Sequence, residues 1–138
     1  MELSDYIQVG MTNEETFRVE EQQTAAHVGS GALRVLATSS MIGFMESVSH
    51  RLLAQRLPQG YSSVGVMVEV RHLAPTPMGE QVRVRSEVVG IEGSRVEFTI
   101  QAWDAQEKIG EGRHQRAVIE QARFLRRVEA KMGGKPAA

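Results

Sequence analysis

The sequence of 138 residues lacks cysteine altogether, and it carries almost no excess of either charge. The absence of cysteine excludes disulfides, iron–sulfur clusters, thiolate metal sites and a cysteine nucleophile. A formal net charge of −1 gives no bulk electrostatic support to nucleic-acid binding. No apolar stretch approaches the roughly 20 residues that span a bilayer, and MELSDYIQVG has neither the basic nor the apolar part of a secretory signal. We expect a cytoplasmic protein without nucleic-acid or membrane partners.

What the chain does contain is enough apolar material for one core. Hydrophobic residues make up 41% of the sequence, and this length suits a single domain. We expect that domain to cover residues 1–132. The last six residues, GGKPAA at positions 133–138, are predicted to form a disordered tail.

The longest stretch without proline, from Arg34 to Leu57, has the periodicity of a helix. At about 100° per residue its apolar side chains fill an arc of roughly half the circumference, so the helix should be deeply buried. The members of the arc are Val35, Ala37, Met41, Ile42, Phe44, Met45, Val48, Leu52 and Leu53. The helix is expected to start near Ser30 or Gly31 and to stop at the breaker Pro58-Gln59-Gly60.

The remaining sequence alternates apolar and polar residues, which predicts antiparallel strands with one buried face. A weak first strand is expected at residues 16–20 and a last strand at residues 108–120, followed by a short helix at residues 122–132. Val64, Val66, Val68 and Val70 should share the face that looks at the helix. The short connections 74–79, 90–94 and 104–108 predict that consecutive strands pair as hairpins.

A single antiparallel sheet curled around one long helix accommodates this order of elements. Such a sheet has two edges, and free edges invite pairing with a second copy. The strand Gly65–Arg71 is the predicted pairing edge because its outward face mixes Met67 with Glu69 and Arg71. We therefore expect a homodimer, or a tetramer built from such dimers.

Three polar residues project from apolar surroundings: Thr38, Glu46 and His72. A histidine with a hydroxyl and a carboxylate has the chemistry of general-base activation of a nucleophile. Thr38 and Glu46 are eight residues apart, which separates their Cα atoms by about 12 Å along a helix. Either His72 bridges them or a partner chain completes the set. The simpler alternatives are a threonine bonded to its own backbone, a structural ion pair and a satisfied core histidine.

Three segments resemble the hotdog-fold thioesterases, specifically the group similar to fluoroacetyl-CoA thioesterase. They are VLATSSMIGFME at 35–46, GVMVEVRHLAPTPMG at 65–79 and KIGEGRHQRAVI at 108–119. The resemblance includes a T-x7-E spacing on the helix, a G-x6-H spacing on the next strand and the Thr-Pro pair after it. It extends from about Val9 to Val128. It implies an α+β hotdog fold, with one long central helix wrapped by a five- to six-stranded antiparallel sheet.

The resemblance also implies roles for individual residues. Thr38 is expected to be the nucleophile or to position water, Glu46 to be the base or a covalent or electrostatic partner, and His72 the general base and acid. The backbone at Gly65 would lie near the thioester carbonyl, and Ile42 and Gly43 near the substrate. The expected activity is hydrolysis of a small or medium acyl-CoA to the acid and coenzyme A, without cofactor or metal.

Two other activities remain open at this stage. The chain is alternatively a hotdog module that binds acyl-CoA or a small apolar ligand without catalysis, or a hotdog dehydratase or hydratase. The segment Gly29-Ser30-Gly31-Ala32 before the helix has no aromatic residue to gate a fluorinated acyl group. The prediction is accordingly thioester hydrolysis rather than fluoroacetyl specificity.

Two features of the sequence have competing interpretations. His114 and Arg116 on the last strand would meet a coenzyme A phosphate, or else lie on an exposed strand face. Gly43 costs about 1 kcal/mol relative to alanine in a helix interior, which suggests that a close-packed strand or a ligand needs the missing side chain. The four histidines lie on different predicted elements, and no pair has the ligand spacing of a helix or a strand, so we expect no metal site.

Overall fold

The computed structural model describes residues 1–133 and has the α+β class that the sequence predicts. Its strands and helices in chain order are β1 Thr12–Arg18, α1 Ala25–Val28, α2 Thr38–Ala54, β2 Tyr61–His72, β3 Gln81–Glu92, β4 Arg95–Trp103, β5 Lys108–Glu120 and α3 Gln121–Met132. The first strand begins four residues earlier than expected, and the loop predicted before the long helix contains α1. The expected disordered tail lies outside the described residues except for Gly133.

The helix α2 is shorter than the predicted Arg34–Leu57 and begins at Thr38. The preceding residues are extended because their backbones bond elsewhere. Val35 forms a bridge with Pro77, and Leu36 forms one with Thr24. The predicted start near Ser30 is therefore wrong, and Thr38 lies in the exposed first turn of the helix rather than within the buried arc.

The predicted burial of α2 is confirmed. The residues that it buries are Met41, Phe44, Met45, Val48, Ser49, Leu52 and Leu53. Burying an aliphatic side chain of this size contributes about 1.5–3 kcal/mol to stability, so α2 anchors the core. Phe44 also stacks on Phe17 of β1, with ring centroids 4.3 Å apart.

The five strands form one antiparallel sheet in the order β1-β3-β4-β5-β2. The predicted hairpins β3–β4 and β4–β5 are confirmed. The predicted hairpin between β2 and β3 is wrong, because β2 pairs with β5 at the edge of the sheet. The connecting segment bonds elsewhere: the Thr76 carbonyl accepts from Leu36 N–H, and Gly79 N–H donates to the Val19 carbonyl. These bonds carry the chain from the sheet edge to β3.

A β-bulge in β2 changes which of its residues face α2. Gly65 pairs with Arg116, but Met67 pairs with Gln115, so Val66 has no partner. One extra residue reverses the alternation of side chains beyond it. Val68 and His72 keep the predicted inward face, whereas Val64 and Val66 do not, and Val66 is 41% exposed. The predicted single valine face is wrong for this reason.

Within residues 1–133, no helix combines the length and apolar character that a membrane crossing demands.

Candidate active site

Thr38 and His72 contact each other directly across the end of the sheet. Thr38 is in the first turn of α2, and His72 is the last residue of β2. The Thr38 Oγ1 and His72 Nδ1 atoms are 2.8 Å apart. A threonine hydroxyl can donate to an unprotonated Nδ1, which is the geometry that a general base needs to take a proton.

The pair opens into a surface groove of about 470 Å³. The groove is lined by α2 and β2 residues together with the loop segments Val35–Ala37 and Leu73–Pro75. The Nε2 atom of His72 is buried and has no hydrogen-bond partner within residues 1–133. A buried ring nitrogen without a partner is uncommon. The backbone of Ala74 lies near the same ring and acts to raise its pKa.

Burial lowers the pKa of His72 below the ordinary histidine value of 6.5. Desolvation has this effect because it penalises the charged imidazolium. His72 is therefore neutral at neutral pH, which is the state that accepts a proton.

Glu46 does not join this pair within one chain. It lies two turns along α2 from Thr38, and His72 makes its side-chain hydrogen bond to Thr38. Of the two arrangements that the sequence left open, a bridge formed by His72 is absent from the described chain. Thr38–His72 and Glu46 are two separate groups, one at the last residue of β2 and the other beside Gly65 near the middle of that strand.

The second group is built around Gly65. A side-chain carbon at Gly65 would lie 2.8 Å from Oε2 of Glu46, 3.4 Å from Cε1 of His114 and 3.5 Å from Nη1 of Arg116. The carboxylate of Glu46 therefore occupies the space that a side chain at Gly65 would enter, and a larger residue there would displace it. The bulge that follows it puts Gly65 on the same face of the sheet as His72.

Arg116 and His114 belong to this second group and are buried, with 6% and 0% of their surfaces exposed. The exposed-face alternative for these residues is wrong. The sequence left two interpretations for them, a phosphate contact or an exposed strand face. Their alternation with the buried Val118 was the signal, since every second residue of a strand shares a face.

The two remaining predicted substrate contacts lie on α2 between the two groups. Ile42 and Gly43 are both half-buried. A side-chain carbon at Gly43 would meet nothing within 4 Å. The close-packed strand suggested for Gly43 is therefore absent from the described chain, and the space above Gly43 is open.

Metal ligation finds no support in the arrangement of these side chains. Across residues 1–133, no three histidine, aspartate or glutamate side chains come together in a group that would hold a metal ion.

Comparison with known proteins places the chain in a family. A family model described as fluoroacetyl-CoA-specific thioesterase matches residues 19–122. A fluoroacetyl-CoA thioesterase from Streptantibioticus cattleyicolor is 39% identical over 97 residues, which is 70% of each chain.

Solved structures agree with this assignment. A mutant of the fluoroacetyl-CoA-specific thioesterase FlK, crystallised with fluoroacetate and coenzyme A, is 35% identical with a TM-score of 0.81, over 86% of this chain and 99% of that one. A hot-dog-like protein from Thermanaerovibrio acidaminovorans has a TM-score of 0.90 at 27% identity, over 98% of this chain and all of that one. The predicted hotdog fold and thioesterase resemblance are confirmed, and the chain belongs to the fluoroacetyl-CoA-specific thioesterase family.

Proposed function

We propose that this protein hydrolyses the thioester of a small or medium acyl-CoA, using Thr38, His72 and Glu46. Water adds its oxygen to the acyl carbon, the carbon–sulfur bond breaks, and the proton that water loses ends on the coenzyme A thiol. The observation that carries the proposal is the 2.8 Å contact between Thr38 Oγ1 and His72 Nδ1, with the second ring nitrogen of His72 unpartnered. His72 would act as general base and then as general acid.

Glu46 would supply the second functional group, as base or as covalent or electrostatic partner. It makes no hydrogen bond to another residue of the described chain, so its oxygens are available to a substrate or to water. Because Gly65 has no side chain, the backbone beside it would be close to the thioester carbonyl. A backbone N–H there would stabilise the oxyanion of the tetrahedral intermediate. Ile42 and Gly43 would line the acyl end, with Arg116 as the neighbouring positive charge.

We further propose that the working unit is a homodimer joined through the edge of β2. The edge strand β2 is twelve residues long and pairs with β5 alone. Its stretch 64–68 carries no charge, and Val66 is exposed there. The other edge, β1, has the sequence TNEETFR, and such charged edges resist pairing.

A symmetric dimer explains why the two functional groups are separate. When an edge strand pairs antiparallel with its own copy, the end of one strand lies beside the beginning of the other. His72 is the last residue of β2, and Gly65 precedes it by seven positions, so a two-fold axis that crosses the strand midway between them would place one beside the other. The Thr38–His72 pair of one protomer would thus face Glu46 and Gly65 of its partner, forming two composite sites.

The proposal also includes the extent of the domain, its location in the cell and its cofactor requirement. The domain would occupy residues 1–132, and the enzyme would work in the cytoplasm, where coenzyme A thioesters are used. No cofactor is required, because proton transfer and oxyanion stabilisation are provided by side chains and backbone.

The test is release of free thiol from acetyl-, fluoroacetyl-, butyryl-, hexanoyl-, phenylacetyl- and palmitoyl-CoA. We expect turnover of about 1–10³ s⁻¹ on at least one of the shorter acyl groups, the range typical of enzymes. His27, an exposed histidine of α1, provides a matched control. His72→Ala should lose activity, whereas His27→Ala should keep it. Absence of turnover on every substrate would contradict the proposal and favour the non-catalytic binding module.

A further inference from the structure

His114 is a fully buried histidine for which the reaction described above has no use. It lies on β5, with its ring 6.0 Å from the ring of Phe98 on the neighbouring strand. Its Nδ1 atom is 2.8 Å from the carbonyl oxygen of Met67, so Nδ1 carries the hydrogen and donates it. The other nitrogen, Nε2, is 3.1 Å from Nη1 of Arg116 and accepts from it. These two bonds fix the neutral ring in one tautomer.

The surroundings of this ring also favour its neutral form. Burial lowers the pKa of His114, and the positive charge of Arg116 lowers it further, while the Met67 carbonyl and the charge of Glu46 act in the opposite direction. The net shift is downward from 6.5. His114 therefore remains an acceptor towards Arg116 at neutral pH.

Arg116 is held on its remaining sides by Ser63. Its Nε atom donates to Ser63 Oγ at 2.8 Å, and its Nη2 atom donates to the Ser63 carbonyl at 3.1 Å. Together with the bond from Nη1 to His114, all three nitrogens of the guanidinium have protein acceptors. The buried charge is thereby hydrogen-bonded without using a carboxylate, although unpaired buried charges are costly.

The carboxylate that would ordinarily pair with this arginine is Glu46. Both Glu46 Oε2 and Arg116 Nη1 lie around the position where a Gly65 side chain would begin. Their charges attract, yet no hydrogen bond or ion pair joins them in the described chain. Arginine and carboxylate frequently form bidentate pairs in proteins. Here the guanidinium donates instead to Ser63 and His114.

We propose that His114 is a positioning residue for the reaction: it holds Arg116 out of a direct ion pair with Glu46, so that the carboxylate stays free to act on substrate. This inference rests on the proposed function of Glu46. A direct pair would occupy the lone pairs of the carboxylate and stabilise its charged form, which weakens a base or nucleophile. Arg116 held at a distance still attracts negative charge that develops in the site.

The principal test is His114→Phe, which retains a ring of similar volume but neither donates nor accepts. Nη1 of Arg116 then loses its acceptor and turns to Glu46. We expect kcat to fall about 10-fold or more with KM changed by less than about 2-fold, the signature of lost transition-state stabilisation. Unchanged kcat would overturn the proposal.

Two further variants separate positioning from packing. The amide of His114→Gln can donate to Met67 and accept from Arg116, so it should recover much of the lost kcat, whereas His27→Phe makes the same change at an exposed histidine and should leave kcat unchanged. Equal losses in the glutamine and phenylalanine variants would contradict the proposal. Adding His114→Phe to Glu46→Gln should cause no further loss, because both act through one carboxylate. Additive losses would refute this.

A measurement on the folded native protein keeps the test valid if the phenylalanine variant fails to fold. Nitrogen-15 NMR should find His114 as the neutral Nδ1–H tautomer near pH 7. The side-chain nitrogens of Arg116 should be nearly unaffected by Glu46→Gln, and a large change would reveal a direct ion pair and overturn the inference. This result does not depend on turnover. A protein inactive on all acyl-CoAs would refute the proposed function. The NMR measurement would still test whether His114 and Arg116 are hydrogen-bonded as described.

Discussion

At its amino end α2 offers an exposed threonine to the last residue of β2, while two turns later it carries a glutamate beside a buried guanidinium. The first group makes one side-chain contact and borders an open groove. The second lies against a network in which His114, Arg116 and Ser63 satisfy one another. The first group is thus arranged to receive a ligand, whereas the second is arranged to hold its residues still.

One helix can therefore contribute residues to a site that it cannot complete. A rise of about 12 Å separates residues that are eight positions apart, so no rotation of side chains brings Thr38 to Glu46. The first turn of α2 supplies one half of the chemistry and its middle supplies the other. A second copy related by a two-fold axis would bring unlike halves together twice.

The largest expected effect comes from removing one residue of either half. Glu46→Gln and His72→Ala should each lower kcat by about 10²–10⁴-fold, the usual contribution of proton transfer by a positioned side chain. Thiol release measures the loss, and size-exclusion chromatography with circular dichroism verifies that each variant remains folded and assembled. Retention of full activity in a folded variant would remove that residue from the mechanism.

Mixing these two inactive variants tests whether the halves meet across a dimer. After unfolding and refolding together, half of the dimers should be mixed, and each mixed dimer would have one intact composite site. Activity should recover to about a quarter of the wild-type value. The control is either variant refolded alone. Activity no greater than that of the controls would mean that each site is completed within one chain.

A smaller effect is expected when the space between Glu46 and the sheet is filled. The new carbon of Gly65→Ala would lie 2.8 Å from Glu46 Oε2 and must displace it. We expect kcat/KM to fall roughly 10- to 100-fold, as displacement of a catalytic group by about 1 Å can do. Gly90→Ala is the matched control, since its new carbon would be 3.8 Å from its nearest neighbour. Similar losses in both variants would indicate general damage to the sheet.

The smallest expected effect concerns the pH below which kcat/KM begins to decline. His72 must be neutral to accept a proton, and burial lowers its pKa from 6.5. Protonation therefore inactivates it only at a pH below that value, and kcat/KM should stay level as pH falls through 6.5 before declining. The profile for the fastest acyl-CoA measures this. A decline that begins above pH 6.5 would contradict the assignment of His72 as base.

Much of the fold follows from local sequence. The apolar arc on α2 identifies the buried face, and its members from Met41 to Leu53 are buried with Ile42 at the margin. Periodicity worked here because a helix buried on one side leaves a 3.6-residue record that tertiary contacts do not erase. The strands β3, β4 and β5 were predicted for the corresponding reason, since each alternates cleanly with one face in the core.

Other features depended on contacts that are distant in sequence. No local pattern predicts that Val35 and Leu36 are extended, because their backbone partners, Pro77 and Thr24, belong to other segments. The bulge at Val66 is visible only when β2 is aligned with β5. The buried state of His114 and Arg116 likewise depends on acceptors from Met67 and Ser63 of the neighbouring strand.

Periodicity and residue spacing are properties of the chain alone. From them follow the buried helix, the alternating strands, the family and the candidate residues Thr38, Glu46 and His72. Tertiary structure decided which of these residues meet. Thr38 reaches His72 since β2 ends against the first turn of α2, and Glu46 faces Gly65 since one unpaired residue turns that part of the strand inward. Strand order and register are set by long-range hydrogen bonds, and no local pattern encodes them.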